Sequence, residues 1–201
     1  MRKVRLEKIY LMNVVLHFHT YRDVYRFIQV NDKCLQTMNE LNLNPSFKNI
    51  QSLQSYLKRF SPQTINCGNG YMEVNEQHMN CSLIRNPLFK VTNNEKQIVS
   101  LFHKIYSIQL HDIPPVKDFL DLVIEYAVEF TKLKKIYGDL NMILKFLDSY
   151  TKNGTELYVP MPELIIIDLQ DSEMINFNSE TVGKLKKLLS YIVLPDRIKI
   201  V

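Results

Sequence analysis

Apolar residues recur at helical spacing through the first 45 residues of the chain. The first predicted helix, over about residues 6–18, has an apolar residue at every fourth position: Leu6, Tyr10, Val14 and Phe18. A second helix is expected to begin near Asp23 and to turn four residues inward: Val24, Phe27, Ile28 and Val30. A third helix is expected after Asn31, a residue type that caps helices, and it ends before Pro45.

The pattern is less regular between residues 46 and 97. One short helix is predicted up to Pro62, followed by a short strand at "TIN". The stretch 66–97 is rich in asparagine and is expected to hold a strand or two and long surface loops.

One apolar phrase recurs beyond residue 98. Each copy has apolar residues at its first, fourth and seventh positions, and the copies begin at Phe102, Phe130, Met161 and Leu185. Their starts are 28, 31 and 24 residues apart, at or just beyond the period of roughly 20–29 residues in leucine-rich repeats. Stretches with helical spacing lie between the copies, at 116–127 and 139–150. A third such stretch, at 179–190, overlaps the fourth copy, so either the helix or the repeat copy must be wrong there. The ending "DRIKIV" predicts a last strand.

This alternation of strands and helices predicts an α/β fold, in the form of a short irregular leucine-rich-repeat solenoid. In such a solenoid neither a strand nor a helix can bury its apolar side alone, so several copies must stack. The alternative is an ordinary α/β domain whose alternation imitates a repeat. The expected organisation is a helical module at residues 1–45 that caps a repeat region at residues 46–201.

Charge and cysteine content narrow the class of protein. The net charge is only +4 and its lysines are dispersed, with "KLKK" at 132–135 and 184–187 as the densest runs, so nucleic acid is disfavoured as a partner. Three cysteines without a CxxC motif fit a reducing compartment. No apolar run is long enough to span a membrane, and the N-terminal stretch has no signal-type cleavage site. A cytoplasmic or nuclear location is therefore expected.

Candidate chemistry is sparse. His17 and His19 are two residues apart on a predicted helix, so they point about 200° away from each other and cannot share a metal ion. Cys34 is expected to be a small buried apolar residue, and His78 is expected in a loop. No nucleophile elbow or phosphate-binding loop is present. The sequence therefore predicts no enzyme, no cofactor and no metal site.

The N-terminal residues carry a recognisable pattern that resembles the F-box. The pattern consists of the spaced apolar residues of the first helix, then Asp23-Val24, Phe27, Val30 and Lys33-Cys34. The whole chain is similar to amoebozoan proteins in which an F-box-like start precedes degenerate leucine-rich repeats. This resemblance implies docking to the Skp1-type adaptor of a cullin ubiquitin ligase, while the repeat sheet selects a substrate. It also implies four candidate positions for docking or for the core of the module: Leu6, Tyr10, Val14 and Val30.

Three functions remain open at this point. The first is a non-enzymatic, monomeric protein–protein interaction adaptor that serves as substrate receptor of a ubiquitin ligase. The second is a stand-alone repeat scaffold whose N-terminal helices only cap the solenoid. The third is a weak nucleic-acid binder that uses the basic runs, with strong salt dependence as its signature.

Overall fold

The computed structural model describes residues 7–68, 70–111, 117–152, 162–168, 182–184, 186–187 and 198–200. The chain divides into two compact units, Met1–Leu88 and Phe89–Val201. The boundary predicted at residue 45 lies inside the first unit. Within the described ranges, no helix is both long and apolar enough to cross a membrane.

Four helices open the first unit: α1 (Lys8–Leu16), α2 (Tyr21–Ile28), α3 (Asp32–Asn39) and α4 (Ile50–Leu57). The predicted cap at Asn31 is confirmed, since its side-chain oxygen accepts a hydrogen bond from the Cys34 N–H at 3.0 Å. Asp23 lies near the start of α2, as predicted, and is its third residue. There it forms a capping box with Thr20, whose N–H donates to the Asp23 carboxylate at 3.1 Å.

The first three helices bury one set of side chains together, including Val15 of α1, Val24 of α2 and Met38 of α3. The prediction that Val30 faces inward is wrong, because α2 ends at Ile28 and Val30 lies beyond it with 68% of its surface exposed. Main-chain hydrogen bonds also tie the helices to the segment after α3. The Ser46 N–H donates to the Leu16 carbonyl at 3.3 Å.

The rest of the first unit is built on β1 (Thr64–Asn66), β2 (Tyr71–Met72), α5 (Glu76–Asn80) and β3 (Leu83–Arg85). Strand β1 confirms the predicted strand at "TIN" and pairs with β3 in parallel. Leu43 forms an isolated parallel bridge with Thr64, so parallel pairing begins before β1. His78 lies in α5 and is 1% exposed, so its predicted loop position is wrong.

A buried asparagine connects the N-terminal helices to β1. Asn44 is 1% exposed; its side-chain oxygen accepts from the Asn66 N–H at 2.6 Å and its amide donates to the Asn66 carbonyl at 2.9 Å. A single side chain thus forms hydrogen bonds with both the N–H and the carbonyl of a strand residue. In a sheet these two groups would normally bond to the main chain of a neighbouring strand. Sequence analysis did not identify this contact.

After β4 (Leu88–Phe89) and α6 (Glu95–Val99), the second unit alternates strands with helices. Its elements are β5 (Ile105–Leu110), α7 (Lys117–Glu125), β6 (Lys135–Asp139), α8 (Leu140–Lys152), β7 (Leu164–Asp168) and β8 (Ile198–Ile200). The four strands pair in parallel and in chain order. The chain therefore contains mixed helix and sheet with parallel strand pairing, which confirms the predicted α/β class.

The first two predicted repeat copies occupy equivalent positions. Ile108 pairs with Ile136, and the rings of Phe102 and Phe130 stack with centroids 4.4 Å apart. The predicted third copy is displaced by two residues, since Ile136 pairs with Ile165 and not with Ile167. Both isoleucines are fully buried, and a shift of two residues keeps the same face of a strand inward, so apolar spacing cannot distinguish them.

The residues that define the predicted fourth copy, Leu185, Leu188, Tyr191 and Val193, lie outside the described residues. Residues 182–184 and 186–187, within the predicted helical stretch 179–190, are helical. The next strand among the described residues is β8, as "DRIKIV" predicted, with Ile198 opposite Ile165.

Gly138 allows β5 and β6 to approach closely. A Cβ atom at this position would lie 2.1 Å from the Leu110 carbonyl oxygen, and Leu110 is the residue with which Gly138 pairs. A glycine in a strand interior often marks such a close backbone approach.

Candidate functional site

Exposed apolar side chains concentrate in the N-terminal helices. Seven large apolar residues are exposed in the described part of the chain, and five of them lie between residues 9 and 30. We call these five the N-terminal apolar surface: Ile9, Tyr10, Val14, Tyr25 and Val30. Scattered apolar residues are normal on a protein surface, whereas a contiguous exposed apolar patch is typical of interaction sites. Tyr10 and Val14 are neighbours in this sense, since they lie one turn apart on α1.

Helix α1 provides three of the five residues because it has no polar face. Its sequence, KIYLMNVVL, contains only two polar residues. Val15 is fully buried, whereas Tyr10 and Val14 are 58% and 51% exposed. A surface helix normally has polar residues opposite its buried stripe, and a helix that is apolar all round is normally covered on every side. The outer face of α1 is therefore suited to being covered by a partner.

Tertiary contacts hold this surface in place. Lys8 of α1 forms an ion pair with Glu40, directly after α3. The rings of Phe18 and Phe27 meet edge to face, with centroids 5.4 Å apart. The α1–α2 turn is fixed further by the Lys48 N–H, which donates to the His19 carbonyl at 3.0 Å. These contacts pre-order the exposed residues, which reduces the entropy lost when a partner binds.

Electrostatics also stabilises the turn beside the surface. The hydrogen bond from the Thr20 hydroxyl to the Asp23 carboxylate, 2.7 Å long, is the main cause that holds the pKa of Asp23 below its usual value. Asp23 is therefore ionised at neutral pH and the capping box of α2 stays formed.

The four residues predicted from sequence fall into three groups. Tyr10 and Val14 lie one turn apart on the exposed face of α1. Val30 lies at the corner between α2 and α3, directly before the Asn31 cap. Leu6 lies outside the described residues. Sequence analysis missed Ile9 and Tyr25; the lack of a polar stripe on α1 was the available signal for Ile9.

The buried polar groups offer little reactivity. Cys34, Cys67 and Cys81 are free thiols in buried positions. Burial raises the pKa of the Cys34 and Cys67 thiols, so both remain protonated near neutral pH. Among the described residues, no three His, Cys, Asp or Glu side chains are grouped so that they could hold a metal ion.

Comparison with known proteins identifies no similar protein. The chain matches no protein-family model, no curated protein and no solved structure. A functional interpretation therefore depends on the geometry of the chain.

Proposed function

We propose that this chain is a non-enzymatic protein–protein interaction adaptor that docks to one partner through its N-terminal apolar surface. The observation that carries the proposal is the uncovered outer face of α1, a helix with apolar residues on all sides. The F-box-like spacing of these helices favours a Skp1-type adaptor of a cullin ubiquitin ligase as the partner. The chain would then act as a substrate receptor in the cytoplasm or nucleus, where its three free cysteines stay reduced.

The second half of the proposal is that the strand–helix units form a short irregular leucine-rich-repeat solenoid. Two observations support it. Strands of the second unit pair in parallel in chain order, with Ile108, Ile136 and Ile165 at successive equivalent positions. Phe102 and Phe130 also stack at equivalent positions of neighbouring repeats. In a solenoid each repeat contacts its neighbours in this way.

The contribution of single residues to the free energy of docking can be estimated from their burial. Full burial of a valine or isoleucine side chain contributes about 1.5–3 kcal/mol, so a side chain already half buried contributes roughly 1 kcal/mol when covered. An aspartate at Val14 would remove this contribution and would also require a charge to be desolvated, which costs several kcal/mol more. One such substitution is therefore expected to abolish a micromolar complex.

The alternative is a stand-alone repeat scaffold in which the helices only cap the solenoid. The specific observation in its favour is the set of bonds that tie the helical region to β1, such as those from Asn44 to both main-chain groups of Asn66. Capping and docking use different faces of α1, since Val15 is fully buried and Val14 is half exposed. Substitutions of Val14 therefore distinguish the two functions.

Co-purification tests the proposal with the full chain and the Skp1-type adaptor of the host. The test variant is Val14→Asp with Val30→Asp, and the matched control is Gln51→Asp with Gln54→Asp, which places two new charges at exposed positions of α4 outside the N-terminal apolar surface. Circular dichroism verifies that each variant is folded. We expect capture by the wild type and the control and loss in the test variant. If the wild type captures no adaptor at tens of micromolar, the docking proposal is wrong and the helices are a cap.

A further inference from the structure

The exposed residues of α1 and its C-cap form one continuous face. Five positions make up this outer face of α1: Ile9, Tyr10, Asn13, Val14 and His17. Successive residues of a helix are rotated by about 100°, so the five positions lie within an arc of about 140°. His17 lies near the centre of the arc and one turn after Asn13 and Val14. A partner that covers Tyr10 and Val14 would therefore also cover His17.

The other side of α1 packs into the fold. Val15 is fully buried and lies about 170° from the centre of the outer face. Three side chains of the outer face are polar, and within the described part of the chain these side chains form no hydrogen bond or ion pair: Tyr10, Asn13 and His17. A partner must therefore match hydrogen-bonding groups on this face as well as apolar ones.

Ionisable groups of the elements packed against α1 do not pair with His17. Helix α3 packs against α1, and the Ser46 N–H donates to the Leu16 carbonyl at the end of α1. The ionisable side chains of α3, of the segment between α3 and α4 and of the α1–α2 turn are the following: His19, Asp32, Lys33, Cys34, Glu40 and Lys48. Glu40 is paired with Lys8 at the opposite end of α1, and Asp32 is followed by the oppositely charged Lys33. No carboxylate among the described residues forms an ion pair with the His17 ring.

Helix α2 adds no free carboxylate to this region. Its charged residues are Arg22, Asp23 and Arg26. The Asp23 carboxylate accepts hydrogen bonds from the hydroxyl and the N–H of Thr20, at 2.7 and 3.1 Å. Solvent and the carbonyl end of α1 stabilise a charged His17 ring while the outer face is free. A covering partner removes the solvent, so the charge must then be paired or lost.

Histidine is the one residue type of the outer face whose charge changes between pH 5 and 8. The neutral ring has one donor and one acceptor, whereas the charged ring has two donors and needs a counter-charge when it is buried. The remaining side chains of the outer face are uncharged, so this face matches an uncharged surface of a partner. We propose that His17 is a docking residue that the partner binds in its neutral form, so that acidification releases the partner. This inference rests on the proposed function, because it assigns the regulation of the same docking surface.

Isothermal titration calorimetry of the full chain with the Skp1-type adaptor of the host, at pH 7.5, 6.5 and 5.5, tests the inference. The test variant is His17→Gln, which keeps a hydrogen-bonding side chain that cannot become charged. The matched control is His103→Gln, which removes an exposed histidine of the second unit. At pH 6.5 the titration is repeated in two buffers with different heats of ionisation, which gives the number of protons released on binding. Circular dichroism at each pH verifies that every protein is folded.

We expect the wild type and His103→Gln to bind at least about fivefold more weakly at pH 5.5 than at pH 7.5, because the apparent affinity falls with the fraction of the competent form. Both should release protons on binding, whereas the affinity of His17→Gln should change at most about twofold. Equal pH dependence in all three proteins would overturn the inference while the proposed function stands. Proton uptake with tighter binding at pH 5.5 would also overturn it, since a carboxylate of the partner would then pair with the charged ring. Absence of binding by the wild type at every pH would contradict the proposed function, and this inference with it.

Discussion

Acidification is expected to destabilise the first unit through one buried histidine. His78 is 1% exposed; its Nδ1 accepts a hydrogen bond from the Asn75 N–H at 3.3 Å, and its Nε2 lies 3.0 Å from the Met72 sulfur. An Nδ1 atom that accepts a bond carries no proton, so the neutral ring has its hydrogen on Nε2. Protonation would place a hydrogen on Nδ1 against the Asn75 N–H and break the capping box of α5.

The size of the effect can be worked out from the pKa. Burial lowers the pKa of His78 from 6.5 to about 4, and one pKa unit corresponds to 1.36 kcal/mol, so roughly 3 kcal/mol is at stake in all. Because the folded pKa is lower than the unfolded one, this stability is fully present above pH 6.5 and is lost as the pH falls toward 4. Between pH 7 and pH 5 the linkage relation gives a loss of about 2 kcal/mol.

Urea unfolding of the wild type, His78→Gln and His103→Gln at several pH values between 7 and 5 measures this loss. His103 is exposed and serves as the control. We expect the wild type and His103→Gln to lose about 2 kcal/mol more over this range than His78→Gln does, while carboxylates titrate alike in all three. A ring-proton NMR titration of the five histidines gives a direct measure. A His78 midpoint near its ordinary value, or equal pH slopes in all proteins, would refute the reasoning.

Three further predictions concern stability, each measured by thermal or urea unfolding. Gly138→Ala should lower the free energy of unfolding by more than about 3 kcal/mol, because its Cβ would meet β5 main chain, whereas Gly183→Ala should not destabilise, since nothing lies within 4 Å. Asn44→Ala should lower the free energy of unfolding by about 2–4 kcal/mol, because the N–H and the carbonyl of Asn66 would both lose their hydrogen-bond partner. A decrease below about 1 kcal/mol would contradict this role. Tyr56→Phe should stabilise by about 1 kcal/mol, since the buried hydroxyl has no hydrogen-bond partner within the described part of the chain; destabilisation would reveal one.

Local signals in the sequence were sufficient to predict many elements. Capping by Asn31 and spacing of apolar residues depend on neighbours a few positions away, so helices of the first 45 residues and the strand "TIN" could be predicted. The first two copies of the apolar phrase fall at equivalent positions for a related reason. Phe102 and Phe130 each begin a phrase whose spacing matches the buried face of a strand and the turn before it.

Features that depend on long-range packing could not be predicted. Side chains two residues apart on a strand point to the same face, so the apolar pattern could not distinguish Ile165 from Ile167. Only Ile165 pairs with Ile136. Asn44 contacts a residue 22 positions later, and no local pattern marks that partner. The candidate site was only partly predictable for the same reason. Which apolar side chains of α1 and α2 stay exposed depends on how α3 packs against them.

The docking proposal makes a last prediction that needs no partner. Val14 and Val15 are adjacent residues of the same helix, 51% and 0% exposed. Substitution of either by serine changes helix propensity equally, so burial alone distinguishes them. Val15→Ser should cost about 2–3 kcal/mol from lost apolar burial and a cavity, and Val14→Ser less than about 0.5 kcal/mol. The difference in free energy of unfolding, measured in urea, tests whether the fold uses the outer face of α1. If both substitutions cost the same, that face is already covered within the protein, and the N-terminal apolar surface is not available to a partner.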